Sequence, residues 1–185
     1  MVEKKVDYER VLRLGRELLE ALGEDPDREG LRDTPRRWAD WWKEFVMFEP
    51  GVVDTTFESF SSGQLVTVSA MRVYSICEHH LLPFWCDVSI GYIVHERVVG
   101  LSKFARIAHD VAHHLQVQER ITDLVADRVQ QLVGSPDVVV LCRGVHTCMV
   151  MRGIKTEGTM TSIVKRGVFE SNPDKLSEFL TFAKE

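Results

Sequence analysis

The spacing of the apolar residues changes at Leu65 from helical to alternating, which limits the chain to folds that combine helices with a sheet. Over residues 8–22, Val11, Leu14, Leu18 and Leu22, joined by Leu12 and Leu19, recur at helical spacing, and Gly23 stands where that helix would stop. Thr34-Pro35 reads as an N-cap and first-turn proline for a second helix carrying Trp38, Trp41, Trp42 and Phe45, aromatics that suit packing better than a ligand platform. Residues 48–63 are polar, with Pro50, Gly51 and paired serines, and read as a loop. Beyond Leu65 the period is two, first in Val66, Val68 and Ala70, then in Val88, Ile90, Tyr92 and Val94. Phe104, Ile107, Ala108, Val111 and Leu115 predict a third helix; Val117, Ile121, Leu124, Val125, Val129 and Leu132 predict a fourth, ended by Gly134-Ser-Pro-Asp. Further strands are predicted over 138–142, 145–152 and 159–169, and Asn172-Pro173 opens a last short helix with Leu176, Phe179 and Leu180.

Strands joined by short turns, interleaved with helices and free of internal repeats, predict an α+β fold: an antiparallel sheet with helices on one face and a helical N-terminal extension. A chain of 185 residues is one functional domain by length, divided into an N-terminal helical region and loop over 1–63 and a strand-bearing region over 64–185. With 44% hydrophobic and 28% charged residues it has the balance of a soluble globular protein. A net charge of −5 argues against nonspecific nucleic-acid binding, so an anionic substrate would need a local basic pocket. The first residues, Met1-Val-Glu-Lys-Lys-Val, lack the apolar core of an export signal, and no segment approaches a membrane span. A cytoplasmic protein without membrane partners is the expectation, with Cys77, Cys86, Cys142 and Cys148 as free thiols or metal ligands.

Chemistry concentrates in Cys77-Glu-His-His80, three potential metal ligands in one turn-like segment, and in His146-Thr-Cys148. Cys77 and His80 are three apart, so one turn aims both at one ion; His146 and Cys148 would share a face if 145–152 is a strand. Two thiolates and an imidazole leave a fourth tetrahedral position of zinc open, a catalytic arrangement. A closed structural site stays open as a reading, with Cys86 or Cys142 as the fourth ligand, although both fit ordinary strand packing as core cysteines. His79 and His146 are spare imidazoles suited to acid/base work, whereas His109, His113 and His114 read as the polar face of a helix. In Gly100-Leu-Ser102-Lys103-Phe-Ala-Arg106, Ser102 is placed to cap a helix whose first turn carries two cations, and Arg152 follows Cys148 by four. Spacing alone leaves an ordinary solvated basic face equally open; three cations converging near a metal would suit a phosphate-bearing substrate.

Four motifs in order, Ser75-Ile-Cys-Glu-His-His-Leu-Leu-Pro83, Gly100-Leu-Ser-Lys-Phe-Ala-Arg106, Leu115-Gln-Val-Gln-Glu-Arg120 and His146-Thr-Cys-Met-Val-Met-Arg-Gly153, resemble GTP cyclohydrolase I. The resemblance runs from the first helix to Phe169 and includes Glu24-Asp-Pro-Asp-Arg-Glu-Gly30 and Asp33-Thr-Pro-Arg-Arg37. It implies a tunnelling fold (T-fold) in which strands of several subunits close a barrel, usually as a homodecamer of two stacked pentamers, with active sites at subunit interfaces. It also implies the zinc-dependent conversion of GTP to 7,8-dihydroneopterin triphosphate and formate, the first step of pterin and folate synthesis. By the same resemblance Cys77, His80 and Cys148 match zinc ligands, and His79 and His146 match catalytic histidines, with Ser102 assisting proton transfer. Ser102, Lys103, Arg106 and Arg152 match triphosphate contacts, Arg37 matches one from a neighbouring subunit, and Gln118 and Glu119 match the guanine-recognition positions.

The chain departs from the family pattern at Arg143, where an acidic residue is usual, at Cys86 after Trp85, and in a slightly short segment over 153–167. Two other readings remain. A tunnelling-fold nitrile reductase acting on a deazaguanine would use a catalytic thiol and a nicotinamide, and retention of the whole Cys77, His80 and Cys148 set speaks against it. A zinc-stabilised, non-catalytic scaffold would have no use for the spare histidines and the basic turn.

Overall fold

The computed structural model describes residues 5–183; the opening Met1 to Lys4, read above for an export signal, lies outside them. Two compact units divide at Glu49/Pro50. In the first, α1 (Tyr8–Ala21) and α2 (Thr34–Val46) form an antiparallel pair. Asp7 caps α1 by accepting from the Arg10 amide at 3.0 Å. Gly15 lets the helices approach closely, since a Cβ there would stand 3.0 Å from the Trp38 ring and 3.3 Å from Pro35 Cα. The tryptophans are packing residues, as their spacing predicts: Trp38 and Trp42 meet edge to face at 6.0 Å, and Trp41 stacks on Phe45 at 5.8 Å. Thr34, expected as a cap, is already the first helical residue, so its side chain makes no cap bond and Asp33 takes the flanking position.

The second unit is built on a five-stranded sheet. Its elements are β1 (Thr56–Glu58), β2 (Leu65–Cys77), β3 (Pro83–Ile93), β4 (Arg97–Val99), α3 (Ser102–Ala112), β5 (Leu115–Gln116), α4 (Gln118–Val133), β6 (Val138–His146), α5 (Thr147–Val150), β7 (Met160–Lys165), α6 (Val168–Ser171) and α7 (Pro173–Phe182). The strand order is β5-β2-β3-β6-β7, antiparallel except for the two-residue parallel pairing of β5 with β2. β1 and β4 pair separately; β1 lies inside the 48–63 stretch that reads as loop and β4 beyond the alternating run that ends at Val94, and three residues are too few to show an alternation.

Alternation along β6 sorts the core. Val138, Val140 and Cys142 join the cluster beneath α3 and α4, with Phe104, Ile107, Ile121, Val125 and Val129. Val139 and Leu141 point the other way, into a smaller cluster with Phe169 and Phe179 of α6 and α7. The long helices thus share one face, as expected, while the short C-terminal pair covers part of the other. Gly91 admits α7, because a Cβ there would lie 2.6 Å from the Phe179 ring. Arg143 donates to the Ala183 carbonyl at 2.6 Å and Ser69 donates to Phe182 O at 3.0 Å, so two strands tie down the end of α7.

The strand predicted over 145–152 ends at His146. Its partner β3 begins at Pro83, the last cross-strand pair is Phe84 with His146, and past that point no strand lies opposite. The chain turns into the single-turn α5 instead, where Thr147 donates its hydroxyl to Pro83 O.

Candidate functional site

β2 delivers Cys77 to the end of the sheet, and a tight turn brings His80 back over it. The Leu81 amide donates to Cys77 O at 2.9 Å and the Cys77 amide to Leu82 O at 2.9 Å. Leu81 takes a left-handed φ of 52° to close the reversal into β3. Glu78 anchors the turn: the Arg120 guanidinium donates to both its carboxylate oxygens, at 2.6 and 3.0 Å, and the Glu78 amide donates to Gln116 O at 3.1 Å. The Arg120 hydrogen bonds hold the Glu78 carboxyl below the usual range.

Cys148 comes from α5. The ligand atoms of Cys77, His80 and Cys148 all lie within 4.8 Å of one another, with Cys77 Sγ 3.6 Å from His80 Nδ1. Burial, and the Cys77 thiol beside it, push the Cys148 thiol up. Two thiols and one imidazole form a donor set that a soft divalent cation would satisfy, so the residues fit zinc. Among the described residues no other group of His, Cys, Asp and Glu side chains meets in this way. Cys86 and Cys142 lie buried on the facing strands β3 and β6, and the hydrogen bond to Cys142 and burial push the Cys86 thiol up.

His146 ends β6 with its ring stacked on Phe84, 4.6 Å between centroids and 11° between planes. Its Nε2 lies 3.0 Å from the side-chain oxygen of Gln118, the fully buried first residue of α4. Burial holds the His146 pKa below the ordinary histidine value, opposed by the charge of Glu119. The Gln118 amide nitrogen donates to Cys142 O, Met160 O and Ser162 Oγ, each at 3.1 Å.

A cavity of about 180 Å³ joins these groups, walled by Cys77, His79, His80, Cys148, His146 and Glu119, with 116–118 and Met160 behind them. His79 is exposed, its Nε2 3.9 Å from Glu78. Glu119 is exposed in the first turn of α4. His146 and Cys148 do not share a strand face as their spacing predicts, because one ends β6 and the other sits in the helical turn α5; both still line the cavity.

The basic residues are placed otherwise. Ser102 begins α3 after Leu101 and makes no cap bond. Lys103 Nζ donates to Val52 O at 3.0 Å and Arg106 Nη1 to Pro50 O, where Gly51, at a φ of 69°, leaves room for the guanidinium. None of these three lines the cavity. Arg152 follows α5 and is exposed, and its charge acts on the Cys148 thiol. Arg37, in the N-terminal unit, pairs with Asp33 at 3.3 Å. Sequence reasoning missed Phe84 as the floor under His146 and Arg120 as the partner of Glu78; a carboxylate inside a ligand turn requires a cation, and that was the available signal.

The GTP cyclohydrolase I family model matches residues 13–184. Similar curated proteins named GTP cyclohydrolase 1 include that of Hyperthermus butylicus, 42% identical over 89% of this chain and 85% of the relative. The Deinococcus radiodurans protein is 43% identical over 91% of this chain and 80% of its own length. The Aquifex aeolicus protein is 41% identical over 97% of this chain and 98% of its own length. Among solved structures, the apo crystal structure of the archaeosine synthase QueF-Like aligns with 56% of this chain and 95% of its own, at a TM-score of 0.46 and 19% identity.

Proposed function

The chain belongs to the GTP cyclohydrolase I family, a family of enzymes, and we propose that it converts GTP to 7,8-dihydroneopterin triphosphate and formate with zinc. The observation that carries this reading is the meeting of Cys77, His80 and Cys148 in one cavity with an imidazole, His146, that hydrogen-bonds to Gln118. Cys77, His80 and Cys148 would hold the metal. Zinc bound there makes a water acidic enough to serve as nucleophile near neutral pH.

The guanine C8 is the centre attacked. His146 protonates the imidazole nitrogen as the ring opens, and a second hydration releases C8 as formate. His79 and Ser102 assist the later proton transfers, by which the ribose rearranges and the pterin ring closes. Glu119 reads the base: a guanine edge presents N1–H and 2-amino donors side by side, and a carboxylate accepts both. Gln118, matched with Glu119 to the guanine-recognition positions by the resemblance, adjoins it at the start of α4. Ser102, Lys103, Arg106 and Arg152 bind the triphosphate, with Arg37 of a neighbouring copy.

A cavity of about 180 Å³ is small against the roughly 300–1,000 Å³ of ordinary ligand sites, and the basic turn of α3 lies outside its wall. This supports a pocket completed by other copies, in a tunnelling-fold decamer of two pentamers. The region 64–185 then carries the catalysis and 1–63 the helical extension. Among the described residues no helix is long and apolar enough to cross a membrane; we place the reaction in the cytosol, at the entry to pterin and folate synthesis. Metal content and formate release from GTP, measured on the same sample, test the reading. Stoichiometric zinc with formate formation is the expected result, and a zinc-loaded protein that releases none would reduce the site to a scaffold.

A further inference from the structure

Resting on the assignment of His146 to proton transfer, we infer that Gln118 is a positioning residue that fixes which ring nitrogen of His146 carries hydrogen, and that its side chain does not read the base. Two of the groups around the Gln118 amide can accept but not donate. Cys142 O and Met160 O are backbone carbonyls, each 3.1 Å from the Gln118 amide nitrogen, so that nitrogen can stand only where it does. Ser162 agrees. With the Thr122 hydroxyl donating to Gln118 O at 2.9 Å, Ser162, 2.6 Å from Thr122, is free to donate to it and accept from the Gln118 amide nitrogen at 3.1 Å. The amide hydrogens are thereby committed inside the chain.

The Gln118 oxygen is then left facing His146 Nε2 at 3.0 Å, and a carbonyl oxygen only accepts. Nε2 therefore bears a hydrogen. Turning the ring over would put carbon against that oxygen, and the stack on Phe84 holds the ring plane. Gly144 belongs to the same device, because a Cβ there would collide with the Gln118 oxygen. In the neutral ring Nδ1 is bare, and it has no hydrogen-bond partner among the described residues. His146 thus enters the reaction as an acceptor. As the oxygen of water bonds to C8, the electron pair of the C8=N7 bond moves onto N7, and one water proton passes to Nδ1 and from there to N7; as the C8–N9 bond breaks, N9 takes that bond's pair and the remaining hydroxyl proton, leaving a formyl group on N7.

Neutron diffraction from deuterium-exchanged, zinc-loaded protein reads the hydrogens directly. Deuterium on His146 Nε2 is the expected result, and a bare Nε2 would overturn the inference without touching the zinc assignment. In the Gln118→Met enzyme, kcat should fall by about 100-fold while KM for GTP and the preference for GTP over inosine triphosphate stay within about threefold. An unchanged kcat, or a loss carried by KM and by that preference, would return Gln118 to base reading. Should that variant not fold, the wild-type neutron measurement still decides. If the wild type itself releases no formate, the proposed reaction fails and the hydrogen on Nε2 still tests the positioning role.

Discussion

The cavity at the end of the sheet and the basic first turn of α3 are finished to different degrees. Around Cys77, His80 and Cys148 one chain supplies the ligand atoms, the stacked His146 and the anchored turn. At Lys103 and Arg106 the cations rest on carbonyls of the 50–52 loop and line no part of that cavity. Bond-making groups must be aligned before substrate arrives, because misplacement of a reacting group costs orders of magnitude. Charge contacts to a flexible triphosphate tolerate later assembly. On the proposed function, the first region is preorganised within one copy, and the second would be completed by its ligand or by neighbouring copies.

The largest effect that would test this contrast comes from Cys148→Ser, which should lose stoichiometric metal and turnover together; retention of both would remove it from the ligand set. His146→Ala should keep its zinc and lose about 10²–10⁴-fold in kcat. Parallel loss of metal would show that the two functions of the cavity are not separable. Glu119→Gln should preserve fold and zinc and lose about 100-fold in kcat/KM on GTP, because the amide offers one acceptor and turns a donor toward a donor. Its preference for GTP over inosine triphosphate should narrow, and wild-type discrimination would place base reading elsewhere.

The unfinished region should give smaller, binding-type effects. Lys103→Ala, Arg106→Ala or Arg152→Ala should each weaken GTP by about 1.5–3 kcal/mol while guanosine binding barely changes. Equal losses for both would mean an ordinary solvated surface. Last, mixing inactive His146→Ala copies with copies carrying both Lys103→Ala and Arg106→Ala should restore a fraction of the activity, if one copy completes another's pocket. No recovery after verified subunit exchange would break the contrast, since both halves would then belong to one chain.

Periodicity in the sequence located α1, α3, α4 and α7 and the long strands β2, β3 and β6; α3, α4 and β6 bury most of the apolar residues that mark them, whereas Leu14 and Leu18 of α1 and Leu22 at its end keep the helical period while staying exposed. It failed where length or pairing decides: three-residue β1 and β4 carry no readable period, and β6 stops because β3 has no residue to pair beyond Phe84. The Cys77, His80 and Cys148 group was legible since metal chemistry restricts the residue types. The environment of Gln118 was not. Its bonds reach residues 24 to 44 positions away, so nothing local distinguishes a buried, fully committed amide from one at the surface.

Those long reaches also set an order in time. Cys77 leaves the ribosome roughly 70 residues before Cys148, so at a synthesis rate of about 5–20 residues per second the nascent chain carries an incomplete ligand set for several seconds. Even when Cys148 arrives, Gln118 lacks the carbonyl of Met160 and the hydroxyl of Ser162, which β7 brings later. The strand at the sheet's edge is therefore the last component of the proton-transfer apparatus to be made, and a chain truncated before it would hold all three ligands while its histidine still lacked a fixed hydrogen.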